Sequence, residues 1–243
     1  MEIGGLEKST FIDYPGRVAC TVFLIGCNFR CPFCYSSELV LPEKILRQPK
    51  ISGKEFFDFL KERKGLLDGV VLCGGEPTLQ KDLPDFIKRI KDLGYLVKLD
   101  TNGSNPGMLK KLIDKKLIDY VAMDIKAPLG AKIQKPKFKI SKYDKATGVK
   151  VNLEKIKESI EIIKNSGIDY EFRSTIVPSI HAKEDVIQMA KDISSAKKYY
   201  LQNFRAEKTL DPRFEKIKPY PKEFLREIQK EISQFFEVCE VRG

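Results

Sequence analysis

The chain has 243 residues, 42% of them hydrophobic and 32% charged, enough for one globular domain of barrel size with a substantial core. No run of about 18 apolar residues occurs, so no transmembrane helix is expected. The start Met1-Glu2-Ile3-Gly4-Gly5 does not read as a secretory signal, which makes a cytoplasmic location in a reducing compartment the expectation. The formal net charge of +10 comes mostly from lysines mixed with glutamates on helix faces; no DNA- or RNA-binding motif accompanies it, so a nucleic-acid partner is not expected.

In chain order, Gly4 to Arg17 reads as a short extended piece and a turn, a lead-in spanning 1–17. Val18 to Ile25 is a buried strand, followed by a loop that carries Cys27, Cys31 and Cys34. Ser52 caps a helix over Gly53 to Lys64, with Phe56, Phe57 and Leu60 on one face. Gly69 to Cys73 is a strand, Pro84 sits in the first turn of a helix ending at Gly94, and Tyr95 to Asp100 is the next strand. Pro106 opens a helix through Lys115, and Tyr120 to Lys126 is a strand. A long loop then covers Ala127 to Val149, with lysines at 132, 135, 137, 139, 142 and 145, read as either solvated or serving as a lid or docking surface. Asn152 caps a helix to Ser166 that Gly167 ends. A strand over Asp169 to Ile176, a helix over Lys183 to Ile193, a strand over Lys198 to Asn203 and a helix from Pro221 to about Phe236 follow, and Val238 to Val241 adds a short terminal strand. Residues 222–243 form the last helix and tail. Six main strands alternating with helices predict a parallel α/β fold, and six units fall short of the eight of a closed barrel. An open partial (β/α)6 barrel is the expected fold, with the whole of 1–243 as one domain.

The three cysteines stand at C-x3-C-x2-C. Three thiolates on one loop can hold three irons of a cubane cluster and leave the fourth iron open for chemistry. Zinc wants four ligands, and the candidates for a fourth are poor, because Cys20 is mid-strand and His181, the single histidine, is remote. A disulfide pair with a spare cysteine does not suit a chain of this length and compartment. Cys20, Cys73 and Cys239 are scattered singly and read as packed thiols, and His181 as a surface residue.

Active sites of parallel barrels lie at the C-terminal ends of the strands. Here the successive strand ends carry the cysteine loop, Gly74-Gly75-Glu76-Pro77, Asp100-Thr101-Asn102-Gly103, Asp124-Ile125-Lys126, and Gln202-Asn203-Phe204-Arg205. The glycines suggest close approach of a ligand to backbone, and Glu76 can accept from an ammonium. In the strand from Asp169, alternation puts Glu171, Arg173 and Thr175 on one face; if that face is interior, Arg173 is an anion-binding candidate.

C-x3-C-x2-C, with Phe33 before the third cysteine, resembles the signature of the radical S-adenosylmethionine (SAM) superfamily, and Gly74-Gly75-Glu76-Pro77 resembles its GGEP motif. The resemblance implies a 4Fe–4S cluster on Cys27, Cys31 and Cys34, with SAM chelating the open iron. It further implies reductive cleavage of SAM to methionine and a 5′-deoxyadenosyl radical. Phe33, Tyr35, Gly74, Gly75, Glu76, Asp100, Thr101, Asn102, Asp124, Lys126, Arg173 and Arg205 are the implied SAM contacts. Gly74 to Glu76 would take the methionine amino group. Asp100, Thr101 and Asp124 would lie near the SAM carboxylate and a monovalent cation. Lys126 would meet that carboxylate or the ribose; the plainer reading of Asp124 and Lys126 is a buried ion pair that holds the barrel. Arg205 stands where some relatives carry a histidine near the adenosine.

Phe11 to Arg17, Phe23 to Cys34 and Met123 to Leu129 resemble the activating proteins of anaerobic ribonucleoside-triphosphate reductase, which are related in kind to pyruvate formate-lyase activating enzymes. This implies a glycyl-radical protein as partner and an electron donor of the flavodoxin or ferredoxin type. Tyr35-Ser36-Ser37 departs from the Cys-His-Asn continuation common in activases. The alternatives are a small-molecule radical SAM enzyme such as a 7-carboxy-7-deazaguanine synthase and, in a different class, a non-catalytic zinc or nucleic-acid-binding protein.

Overall fold

A computed structural model of the chain describes residues 1–130 and 141–242. Its elements, in order, are β1 (Ile3–Thr10), β2 (Ala19–Leu24), two single-turn helices α1 (Ser37–Val40) and α2 (Pro42–Ile45), α3 (Gly53–Glu62), β3 (Gly69–Gly74), α4 (Leu83–Asp92), β4 (Leu96–Thr101), α5 (Pro106–Asp114) and β5 (Tyr120–Asp124). They continue with α6 (Lys142–Thr147), α7 (Leu153–Lys164), β6 (Asp169–Ile176), α8 (Lys183–Asp192), β7 (Lys198–Asn203), α9 (Lys222–Ile232) and β8 (Val238–Arg242). The strands form one open sheet in sequential order, with β2 to β8 parallel and β1 antiparallel to β2. The expected six-unit partial barrel is therefore present and carries an extra strand at each end. The extended piece of the lead-in is β1, and the short terminal strand is β8.

The caps read from sequence do the work expected of them. Ser52 Oγ accepts the Glu55 N–H at 3.1 Å, and Asn152 Oδ1 accepts that of Glu154 at 3.1 Å. Within the supposed loop 127–149 the chain forms α6, started by Ser141 and Asp144 in a reciprocal capping box and ended by Gly148 in the left-handed region. Lys142 pairs with Asp185, and Lys145 donates to the Ser179 carbonyl at 2.7 Å, so these two lysines are tied down. The other four lie outside the described residues.

Alternation along the strands divides the buried residues into two sets. Outward-facing side chains such as Leu72, Leu99, Val121 and Phe172 pack under the helices, where Phe56, Phe57 and Phe86 cluster with ring centroids 5.2 to 5.4 Å apart. Inward-facing side chains are small or polar. Low in the barrel, Tyr14 and Tyr120 meet edge to face at 5.9 Å beside Ala19 and Val71, closing that end. Glu171 is buried there, accepting from Tyr120 Oη at 3.0 Å and from Arg242 at 3.0 and 3.2 Å. Above this plug the barrel is hollow. Among the described residues no helix is long and apolar enough to cross a membrane.

Candidate active site

The hollow is a cavity of about 440 Å3 at the C-terminal ends of β2 to β7. The loop after β2 contributes Cys27, Cys31, Phe33, Cys34 and Tyr35, and β3 contributes Cys73, Gly74, Gly75 and Glu76. Asp100, Thr101 and Asn102 come from β4, Asp124 and Lys126 from β5, Arg173 and Thr175 from β6, and Gln202 from β7. Every candidate named from sequence lies here except Arg205. β7 ends at Asn203 and buries Phe204, which sends Arg205 outward; it lines an adjoining hollow of about 580 Å3 with Asn203 and Arg242. Only its backbone reaches the site, its N–H donating to Tyr35 Oη at 2.7 Å.

The cysteine loop is held from three sides. The Gly26 N–H donates to the Leu39 carbonyl at 2.8 Å, the Arg30 N–H to Thr147 at 2.7 Å, and the Leu210 and Asp211 N–H groups to Cys34 and Pro32, each at 2.9 Å. From inside, Arg30 Nη1 clamps the carbonyls of Cys27 at 2.6 Å and Phe29 at 2.7 Å. None of the three thiols is in a disulfide. Burial pushes them up, Cys27 to about 11 and Cys31 to about 12, with the Lys126 ammonium pulling the other way; Cys34 is raised as well. They are protonated at neutral pH until a metal displaces the protons. No group of three or more His, Cys, Asp or Glu among the described residues stands about a single point as one metal ion needs. An all-thiol set spread over one loop and opening on a shared cavity fits an iron–sulfur cluster.

Gly74 and Gly75 line the cavity and also serve packing within the protein. A Cβ on Gly74, whose φ is 117°, would strike the backbone of Leu24, and one on Gly75 would strike the Gly26 carbonyl. Gly75 N–H donates to Leu24 at 2.8 Å and Glu76 N–H to Gly26 at 2.7 Å, so the glycines let the end of β3 lie directly on the root of the cysteine loop. Glu76 is only 1% exposed, and its carboxylate accepts from Thr78, from Thr101 Oγ1 at 2.7 Å and from the Asn102 N–H at 2.7 Å. Burial nonetheless raises its pKa. The three bonds from Thr78 and Thr101 fall on Oε1, while among the described residues Oε2 accepts only the Asn102 N–H, so the carboxylate joins the ends of β3 and β4 and keeps acceptor capacity on the cavity side.

A chain of charges crosses the interior. Lys98 pairs with Asp100; Arg173 Nη1 donates to Asp100 Oδ2 at 3.0 Å and Nε to Asp124 Oδ1 at 3.0 Å; and Lys126 Nζ meets Asp124 Oδ2 at 3.0 Å. Burial works against both carboxylates, yet the Lys126 and Arg173 cations hold Asp124 at about 2, and Arg173 and Lys98 hold Asp100 below the usual range. The face carrying Glu171, Arg173 and Thr175 is thus interior, and the Asp124–Lys126 pair exists in the wall of the cavity. The set does not suit a monovalent cation, because each oxygen of Asp100 and Asp124 already faces a cationic nitrogen and Thr101 Oγ1 is engaged with Glu76 and the Gly103 N–H.

Two residues differ from their sequence reading, and a third carries a role that the sequence reading did not assign. His181 is 1% exposed rather than on the surface. The Val177 N–H donates to its Nδ1 at 3.0 Å, so the proton is on Nε2, which donates to the Lys126 carbonyl at 2.9 Å. Burial drops its pKa to about 4. Cys20 and Cys239 are packed as expected, but Cys73 lines the cavity, its thiol pushed by burial to about 12. Lys98 escaped notice, although alternation with Asp100 in Leu96-Val97-Lys98-Leu99-Asp100 already sets it on the same interior face.

With this geometry in place, the comparisons are direct. The profile of the radical SAM superfamily matches residues 21–193. The chain belongs to the radical SAM superfamily and is an enzyme of that class. It is 34% identical to a protein of Methanocaldococcus jannaschii provisionally named a glycyl-radical enzyme activating enzyme, over 99% of this chain and 95% of that one. A GTP 3′,8-cyclase of Aliarcobacter butzleri is 27% identical over 74% of this chain and 54% of its own. Among solved structures, Streptococcus suis SuiB bound to SAM superposes with a TM-score of 0.64 at 16% identity, covering 92% of this chain and 52% of SuiB, a likeness of fold.

Proposed function

We propose that Cys27, Cys31 and Cys34 hold a 4Fe–4S cluster, that SAM fills the cavity beside it, and that the hydrogen atom is taken from a glycine of a partner protein of the anaerobic ribonucleoside-triphosphate reductase kind. The observation that carries the reading is the match, over almost the whole of both chains, to a relative provisionally named for this activity. When bound, the cluster supplies the electron that cleaves SAM to methionine and the 5′-deoxyadenosyl radical, which abstracts the hydrogen. The chain's own part is positional. Arg173 and Lys126 offer cationic donors to the SAM carboxylate, Phe33 and Tyr35 line the cavity wall, and the adjoining hollow lets a polypeptide loop approach from the side.

A cytoplasmic setting and a flavodoxin or ferredoxin donor accompany this reading. The second reading, a small-molecule substrate, draws on the GTP 3′,8-cyclase relative. Anaerobically reconstituted protein should carry about four irons per chain. Reduced with SAM and a candidate glycyl-radical protein, it should give the glycyl electron paramagnetic resonance doublet alongside 5′-deoxyadenosine. 5′-Deoxyadenosine release stimulated by a small metabolite, and by no such protein, would transfer the assignment to the second reading.

A further inference from the structure

Asp100 and Asp124 face each other across the cavity wall, and two opposed carboxylates invite a cation. The chain supplies one itself. Arg173 pairs in register with Asp124 across β5 and β6, and its guanidinium spans the two acids, Nη1 on Asp100 and Nε on Asp124. The outer oxygens are taken by Lys98 and Lys126, so two carboxylates meet three cations. A further positive ion placed among them would be repelled by every cation at contact distance in a site with little solvent, where such repulsion is poorly screened. It would also have to strip a charged hydrogen bond from the oxygen it sought. The surplus positive charge faces the opposite need. Among the described residues Arg173 Nη2 has no hydrogen-bond partner, and Arg173 and Lys126 both line the cavity.

We propose that Arg173 is a built-in replacement for an alkali-metal ion at this site, so that a carboxylate ligand is met by its guanidinium with no bound Na+ or K+. The ligand carboxylate is that of SAM, which rests on the function proposed above. A guanidinium also fixes direction where a spherical ion does not, because its planar fork sets the angle at which a carboxylate is received.

The test compares SAM binding to the cluster-loaded enzyme, by anaerobic equilibrium dialysis, in NaCl, KCl and choline chloride at equal ionic strength. Wild-type Kd should agree across the three salts within about twofold. Arg173→Ala uncovers both carboxylates; it should bind about tenfold more weakly in choline chloride and recover affinity in NaCl or KCl. The thermal midpoint without SAM gives a second readout, independent of salt identity in the wild type and raised by Na+ or K+ over choline in Arg173→Ala. Wild-type affinity that needs Na+ or K+, or an Arg173→Ala defect that neither ion relieves, would overturn the proposal. Failure of the wild type to bind SAM in any salt would count against the proposed function instead, and the thermal comparison would still decide whether Arg173 stands in for the ion.

Discussion

Gly75 and Glu76 have their effect through neighbours. A methyl group on Gly75 pushes on the Gly26 carbonyl, one residue before Cys27, so Gly75→Ala should lower the iron bound after reconstitution. Gly53→Ala, where a Cβ meets nothing within 4 Å, should leave it unchanged. Glu76→Gln turns one acceptor into a donor facing the Asn102 N–H or the Thr101 hydroxyl. Urea denaturation should show a loss of about 1–3 kcal/mol, the range for a buried group left unpaired. His181 makes a pH prediction. Its folded pKa of about 4 lies below the ordinary 6.5, so the unfolded chain binds the proton more readily. The stability due to neutral His181 is fully present above about 6.5 and lost as pH falls toward 4, roughly 3 kcal/mol in all. His181→Gln should flatten that slope in urea melts between those limits, while a slope identical to wild type would assign it to other groups.

Among elements, α6 is the most informative. Its six residues are too few to show helical periodicity, and in Lys-rich surroundings the segment reads as part of a long loop, either solvated or a lid or docking surface. The local signals, Ser141 with Asp144 three residues on and Gly148 beyond, were legible and were passed over. What sequence could not show is the element's task, because the Thr147 carbonyl holds the Arg30 N–H and Gly148 lies against the Arg30 carbonyl. Gly148→Ala at a φ of 69° should cost about 1–2 kcal/mol from backbone strain alone, and more from the collision. Its iron content should fall with stability; unchanged iron in a destabilised variant would show that α6 is not what steadies the loop. The strand ends were readable in order because motif and alternation agree there. Arg205 lies beside the cavity rather than in it because its position depends on where β7 stops, and the bonds by which Glu76 joins two strands depend on tertiary neighbours that alternation does not show.

At the scale of the whole molecule, the open sheet is closed at one end by Tyr14 and Tyr120 and hollow at the other. Tyr14 is 4% exposed and belongs to the turn between β1 and β2, so a segment read as a lead-in is the stopper of the barrel. Tyr14→Ala should destabilise the protein by about 3 kcal/mol or more, as large aromatic truncations do, while leaving the affinity for SAM in the surviving folded fraction close to wild type. A large loss of affinity with little change in the unfolding midpoint would mean that Tyr14 shapes the cavity directly.

The cysteine loop and the segment that ties it down are made at very different times. Cys27, Cys31 and Cys34 leave the ribosome early, while Leu210 and Asp211, whose N–H groups fasten Cys34 and Pro32, are translated near the end. A nascent chain therefore carries its three thiols through most of its synthesis before the last of these ties can form. Under the proposed function, iron delivered after release meets a fully fastened loop, and any earlier encounter with metal or oxidant meets cysteines that lack their last two ties.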